Sequence, residues 1–136
     1  MWKSKILHLN KGNPFSELNH PATGAQISEV SLKLKVKIPH ELEVLLREVN
    51  GDVTTFLSTE QIIRDNLSLR ELDSFMPLDV FLFFAENGCG DYFGYAIRKN
   101  GEMDDNIFMW DHESDSRKWV AQGLDQFIER RKSQEI

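Results

Sequence analysis

The second half of the chain holds four runs rich in aromatic and β-branched residues: DVFLFFAE (79–86), YFGYAI (92–97), IFMWD (107–111) and RKWVA (117–121). Such runs read as strands. Gaps of about five to nine residues separate them, whereas a parallel crossover needs roughly a dozen or more. The strands are therefore expected to pair as an antiparallel meander. The middle runs are apolar at nearly every position, which predicts cover on both sheet faces.

Between the first two runs lies Gly88-Cys89-Gly90-Asp91. A dinucleotide-binding loop needs G-x-G-x-x-G and then a helix. Here the glycines fall at 88, 90 and 94, and aromatic strand residues follow. No G-K-[ST] triplet occurs either. The stretch reads as a hairpin connection, its glycines supplying positive φ where the chain reverses. Gly94, inside the next strand, marks a bulge or a close approach by a neighbour.

The first half patterns as helices. Thr23 and Gln26 have capping-box spacing, as do Ser58 and Gln61. Ile27, Val30 and Leu34 share one face of a helix ending near Leu34, with a short extended piece at Val36–Ile38. Pro39 suits the first turn of a second helix, in which Leu42, Leu45, Leu46 and Val49 form a stripe. Asn50-Gly51 is expected to end it. A third, shorter helix is expected near Glu60–Asp65. LDQFIERRK (124–132) closes the chain as a helix with Leu124, Phe127 and Ile128 inward. Residues 10–24 are rich in loop formers and read as a lead-in.

A length of 136 residues, without repeats or linkers, fits a single domain over 1–136 with its core at about 23–130. The net charge of −6 opposes direct nucleic-acid binding, which needs cations to neutralise phosphates. Cys89 is the one cysteine, so an intramolecular disulfide is excluded and a structural zinc site lacks its ligands. The apolar run at the N-terminus stops at Leu9, too short for a signal peptide, and no stretch has the length of a membrane span. A cytoplasmic location is expected.

Candidate chemistry is sparse. Cys89 as a nucleophile needs a base, for which His112 is the candidate, but a lone cysteine beside turn glycines reads as incidental. Asp111, His112, Glu113 and Asp115 offer oxygen and imidazole ligands or an acid–base pair, yet one short loop supplies only part of a convergent set. His112 is expected to hydrogen-bond to backbone within its own turn. Phe83, Phe84, Phe108 and Trp110 have the chemistry to stack bases, but acidic surroundings assign them to the core. No catalytic, cofactor or metal residues are expected. From Asn100 to Ser116 there is no Lys or Arg and there are six acids: Glu102, Asp104, Asp105, Asp111, Glu113 and Asp115. With Glu86 and Asp91 they are the candidate partner-binding residues, a negative rim for a basic partner.

The order of these parts resembles the SUKH superfamily, in its Smi/Knr-like branch. The pieces that carry the resemblance are VKIPHELEVLLREVNG, LSTEQII, FFAENGCGDYFGYAI, IFMWDHESDSRKWVA and LDQFI, across about residues 23–130. It rests residue by residue on Pro39, Asn50, Gly51, Gly90, Asp91, Trp110, Asp111 and His112, read mainly as fold-defining. Lys35 stands where many relatives turn with a glycine, and Gly123 where a serine often caps the last helix. The resemblance implies an α+β fold in which N-terminal helices and a C-terminal helix pack on an antiparallel sheet. It also implies a bacterial immunity protein without enzymatic activity that neutralises a cognate toxin, often a nuclease, by direct binding. Regulatory interaction modules share the fold and are the alternative; a small hydrolase using the Asp111–Glu113 region is the third reading.

Overall fold

The computed structural model describes all of residues 1–136. Helices α1 (Trp2–Leu9), α2 (Gly24–Leu34), α3 (His40–Glu48) and α4 (Thr59–Arg70) precede strands β1 (Phe81–Glu86), β2 (Tyr92–Ala96), β3 (Asn106–Asp111) and β4 (Ser116–Gln122), and α5 (Gly123–Lys132) ends the chain. The strands pair antiparallel in the order β1-β2-β3-β4. This is the meander that the short gaps require, in an α+β fold.

Strand alternation splits the sheet into two apolar faces. Leu82, Phe84, Phe93, Tyr95 and Ile107 join the helices, meeting Leu42, Leu45, Leu46, Ile62, Leu124 and Phe127 in the main core. Phe127 packs edge-on against Phe84 at 5.4 Å and Phe93 at 5.0 Å between ring centroids. Truncating such a ring to alanine costs about 3–5 kcal/mol. On the other face Phe81, Phe83 and Trp110 form a smaller cluster with Leu78. Phe75 closes it, edge-on to Trp110 at 5.1 Å. The connection between α4 and β1 thus covers part of the second face, so both faces are covered over β1.

Both capping boxes form, at Thr23–Gln26 and Ser58–Gln61. Lys35 ends α2 in the left-handed conformation, φ 55°, where the resemblance places a glycine. Gly94 admits no side chain: a Cβ there would lie 2.6 Å from the Leu82 carbonyl oxygen, beside an irregularity in the β1–β2 register.

Several expectations need correction. The N-terminal apolar run folds as α1, where Trp2 and Ile6, one helical turn apart, are buried against α3 and α5. α4 runs to Arg70, five residues beyond the expected end. α3 ends at an extended Val49, not at Asn50-Gly51. Those two belong to the next turn, built on Asp52. That carboxylate is fully buried, and its Oδ1 accepts the backbone N–H groups of Thr54, Thr55 and Phe56 at 3.2, 2.8 and 2.7 Å. Asn10 Nδ2 donates to its Oδ2 at 2.7 Å. The turn holds Val53 at φ 70°, a conformation β-branched residues rarely adopt. The bridge that follows, Phe56 to Ala85, covers the outer edge of β1.

Candidate functional site

The turn that joins β1 to β2 and the turn that joins β3 to β4 lie side by side, since antiparallel pairing puts both at one end of the sheet. Gly88 and Gly90 have positive φ, 81° and 97°, in the first turn. Asn87 organises it: its Oδ1 accepts the Cys89 N–H at 2.9 Å and its Nδ2 donates to Asp91 Oδ2 at 2.9 Å. Asp91 Oδ1 then reaches across to His112, 2.7 Å from the ring Nδ1 and 3.0 Å from the backbone nitrogen. His112 therefore bonds to a side chain of the neighbouring turn rather than to backbone in its own. The imidazole lies against Gly90, where a Cβ would sit 2.9 Å from the ring. The Asp91 bond, aided by the charges of Asp91, Glu113 and Asp111, raises the His112 pKa above its ordinary value against the effect of burial. For Asp91, burial opposes ionisation, but the bonds from His112 and Asn87 outweigh it and lower its pKa.

Asp91, Asp111 and His112 bring potential ligand atoms within 4.8 Å of one another. As a metal or acid–base set they compete with the clamp. Nδ1 of His112 is committed to Asp91, and both Asp91 oxygens are bonded within the protein. Asp111 Oδ1 accepts the Glu113 N–H at 2.9 Å. What this arrangement does in the protein is to tie two turns into one rigid end.

The eight acids fall into two groups. Glu86, Asp91, Asp111, Glu113 and Asp115 lie at the end just described, while Glu102, Asp104 and Asp105 lie in the β2–β3 connection at the opposite end. A six-residue strand rises roughly 20 Å, so no single rim collects them. Several are already engaged. Asp115 accepts the Met76 N–H at 2.9 Å and the Trp110 Nε1–H at 2.7 Å, and pairs with Arg117. Asp104 accepts the Asn106 N–H and pairs with Arg98. Glu102, Asp105 and Glu113 are exposed and accept no side-chain hydrogen bond. Glu86 is half-buried without a hydrogen-bond donor; burial, and then the charge of Asp65, raises its pKa. Asp65 is a member of this end that the sequence did not mark. It accepts the Tyr92 hydroxyl at 3.1 Å and pairs with Arg64, and only the tertiary fold brings α4 to β2.

Between the two acidic ends runs the uncovered part of the second sheet face. Phe108 and Trp119 are cross-strand partners there, Phe108 half-buried and Trp119 43% exposed. Trp119 is held in place by its Nε1–H, which donates to Asn106 at 2.9 Å, and by the Arg130 guanidinium over its ring. No helix in the chain is long and apolar enough to cross a membrane.

No curated protein matches the chain. Residues 21–130, spanning α2 to α5, match the SMI1 / KNR4 family (SUKH-1), and with its helices on a four-stranded antiparallel sheet the chain belongs to that family.

Proposed function

We propose that the protein is a non-enzymatic immunity protein that neutralises a cognate toxin, of nuclease type, by direct binding in the bacterial cytoplasm. Family membership is the observation that carries this reading. The surface supports it. Two separate acidic groups, one at each sheet end, flank Phe108 and Trp119, and charge on either side of an apolar centre suits a protein interface. The roughly 20 Å between the ends fits within one interface of about 800 Å² per partner. A basic partner is drawn to this face by Glu86, Asp91, Asp111, Glu113 and Asp115 at one end and by Glu102, Asp104 and Asp105 at the other.

The test is co-expression with candidate toxin domains, scored by rescue of growth, followed by co-purification. Rescue by the native chain, lost in Trp119→Ala combined with Asp105→Lys while the variant remains folded, is the expected result. Growth rescue without a physical complex would point to the regulatory reading instead.

A further inference from the structure

Three Asn-Gly pairs occur in the chain: Asn50-Gly51, Asn87-Gly88 and Asn100-Gly101. Such a pair can modify itself. The glycine nitrogen, stripped of its proton by solvent hydroxide, attacks the asparagine Cγ. The Cγ–Nδ2 bond then breaks, the departing nitrogen takes a proton from water and leaves as ammonia, and a succinimide ring remains. Water opens that ring at either carbonyl, giving aspartate or isoaspartate. The attack needs a glycine nitrogen open to solvent. It also needs donors on Oδ1, where negative charge gathers in the tetrahedral intermediate.

Only Asn87 meets both conditions. Gly88 is exposed, its N–H makes no hydrogen bond within the protein, and a Cβ built on it would meet nothing within 4 Å. Asn87 Oδ1 accepts two backbone N–H groups, from Cys89 at 2.9 Å and from Asp91 at 3.3 Å. Two fixed donors on one oxygen form an oxyanion hole, which lowers the barrier to attack on its carbon. Nδ2 donates to Asp91 Oδ2 at 2.9 Å and so holds the amide in that orientation.

The other two pairs are blocked. Gly101 also has free space around it, but its N–H donates to the Arg98 carbonyl oxygen at 2.8 Å, and Asn100 Oδ1 accepts only the Glu102 N–H. Asn50 is buried, with Oδ1 accepting the Thr59 N–H at 2.7 Å and Nδ2 donating to Thr59 Oγ1 at 3.2 Å. A Cβ on Gly51 would lie 2.8 Å from the Ser58 nitrogen, so no solvent base reaches that glycine.

We infer that Asn87-Gly88 is a site of spontaneous deamidation in the folded protein, with water the only co-reactant, and that the conversion loosens the paired turns. A carboxylate at this position faces Asp91 Oδ2 where an N–H donor now stands, and like charges so close oppose each other's ionisation. Isoaspartate also lengthens the backbone of the turn. Either product withdraws the donor from Asp91, the group that holds His112. The reaction needs no partner, so it stands or falls independently of toxin binding.

The experiment incubates the native chain in mildly alkaline buffer, once folded and once in urea, and follows all three asparagines by peptide mapping with mass spectrometry. In urea the three pairs should convert at similar rates. In the folded chain Asn87 should convert at least as fast as in urea, while Asn50 and Asn100 slow about tenfold or more, as one or two hydrogen bonds added to a barrier require. Ammonia release from folded Asn87→Gln should lack the fast phase of the native chain; if that variant does not fold, the peptide map of the native chain decides alone. Ion exchange isolates the chain converted at Asn87, and its urea midpoint should fall below that of the unconverted chain. Slower conversion of Asn87 folded than in urea, or faster conversion of Asn100 than of Asn87, overturns the site. An unchanged midpoint overturns its effect on the turns.

Discussion

Asp91 and His112, 21 residues apart, are joined twice: one carboxylate oxygen meets both the imidazole Nδ1 at 2.7 Å and the backbone N–H at 3.0 Å. The pair fixes the relative position of two turns that share no chain connection. Its strength must vary with pH, because the His112 pKa is raised and the Asp91 pKa lowered. The raised histidine contributes stability that is complete below its unfolded value of about 6.5 and is lost as pH rises through the folded value. The lowered aspartate contributes stability that is complete above about 3.9 and is lost as pH falls through its folded value. The clamp is therefore strongest between about pH 4 and 6.5. Urea midpoints of the native chain and of His112→Gln, measured from pH 4 to 9, should converge as pH rises. A constant gap across that range would show that the imidazole's charge plays no part, and an NMR titration of the His112 ring should give a pKa above that of an exposed histidine.

Gly90→Ala tests the same contact from the other side. The left-handed φ of 97° costs a side chain about 1 kcal/mol or more, and the new Cβ would press on the His112 ring at 2.9 Å. Only the second penalty depends on the imidazole. Gly90→Ala should thus cost less in a His112→Ala background than in the native chain, a coupling that a double-mutant cycle in urea reads directly. Additive effects would mean that the ring moves aside freely.

Asp52 is expected to be the most sensitive polar position. Asp52→Ala leaves three backbone N–H groups in the interior without their acceptor and removes the bond to Asn10, and it should cost about 3 kcal/mol or more. Asp52→Asn retains one acceptor oxygen but turns an amide toward Asn10 Nδ2, so its cost should be smaller yet measurable. Chemical denaturation with an unchanged slope is the check. A loss under about 1 kcal/mol for the alanine variant would show that water replaces the carboxylate.

These residues also show what the sequence reveals and what it hides. The Thr23–Gln26 and Ser58–Gln61 caps were legible because both partners lie three residues apart. The meander was legible because gap length forbids the alternative. Resemblance marked Lys35 as a turning point, and it does adopt a left-handed φ. Asp52 carries no mark in the sequence, since its partner Asn10 lies 42 residues away and its burial arises only in the folded chain. α1 itself is eight residues with two buried positions, too few for a periodic signal. Asp65 and Tyr92, like Asp91 and His112, meet through pairing of elements that no local pattern encodes. The division of the acids between two ends followed from strand length, which a reading of the acids as one run overlooks.

The final prediction concerns association with a toxin. If the acids steer a basic partner, the association rate should fall as salt rises from about 20 mM to about 500 mM, because exposed charges beyond a Debye length are screened. The exposed, unengaged acids should carry the effect. Asp105→Lys together with Glu102→Lys should slow association and flatten its salt dependence, with little change in stability. Asp104→Lys should behave differently: it also breaks the Arg98 pair and the bond from the Asn106 N–H, so a loss of up to about 1 kcal/mol accompanies any kinetic effect. Glu113→Lys reports on the opposite end of the sheet. Stopped-flow mixing of each variant with the toxin domain that growth rescue identifies gives the rates. If none of the reversals changes the rate and the native chain shows no salt dependence, the acids serve only to solvate the turns, and the partner reads the apolar centre around Trp119 alone.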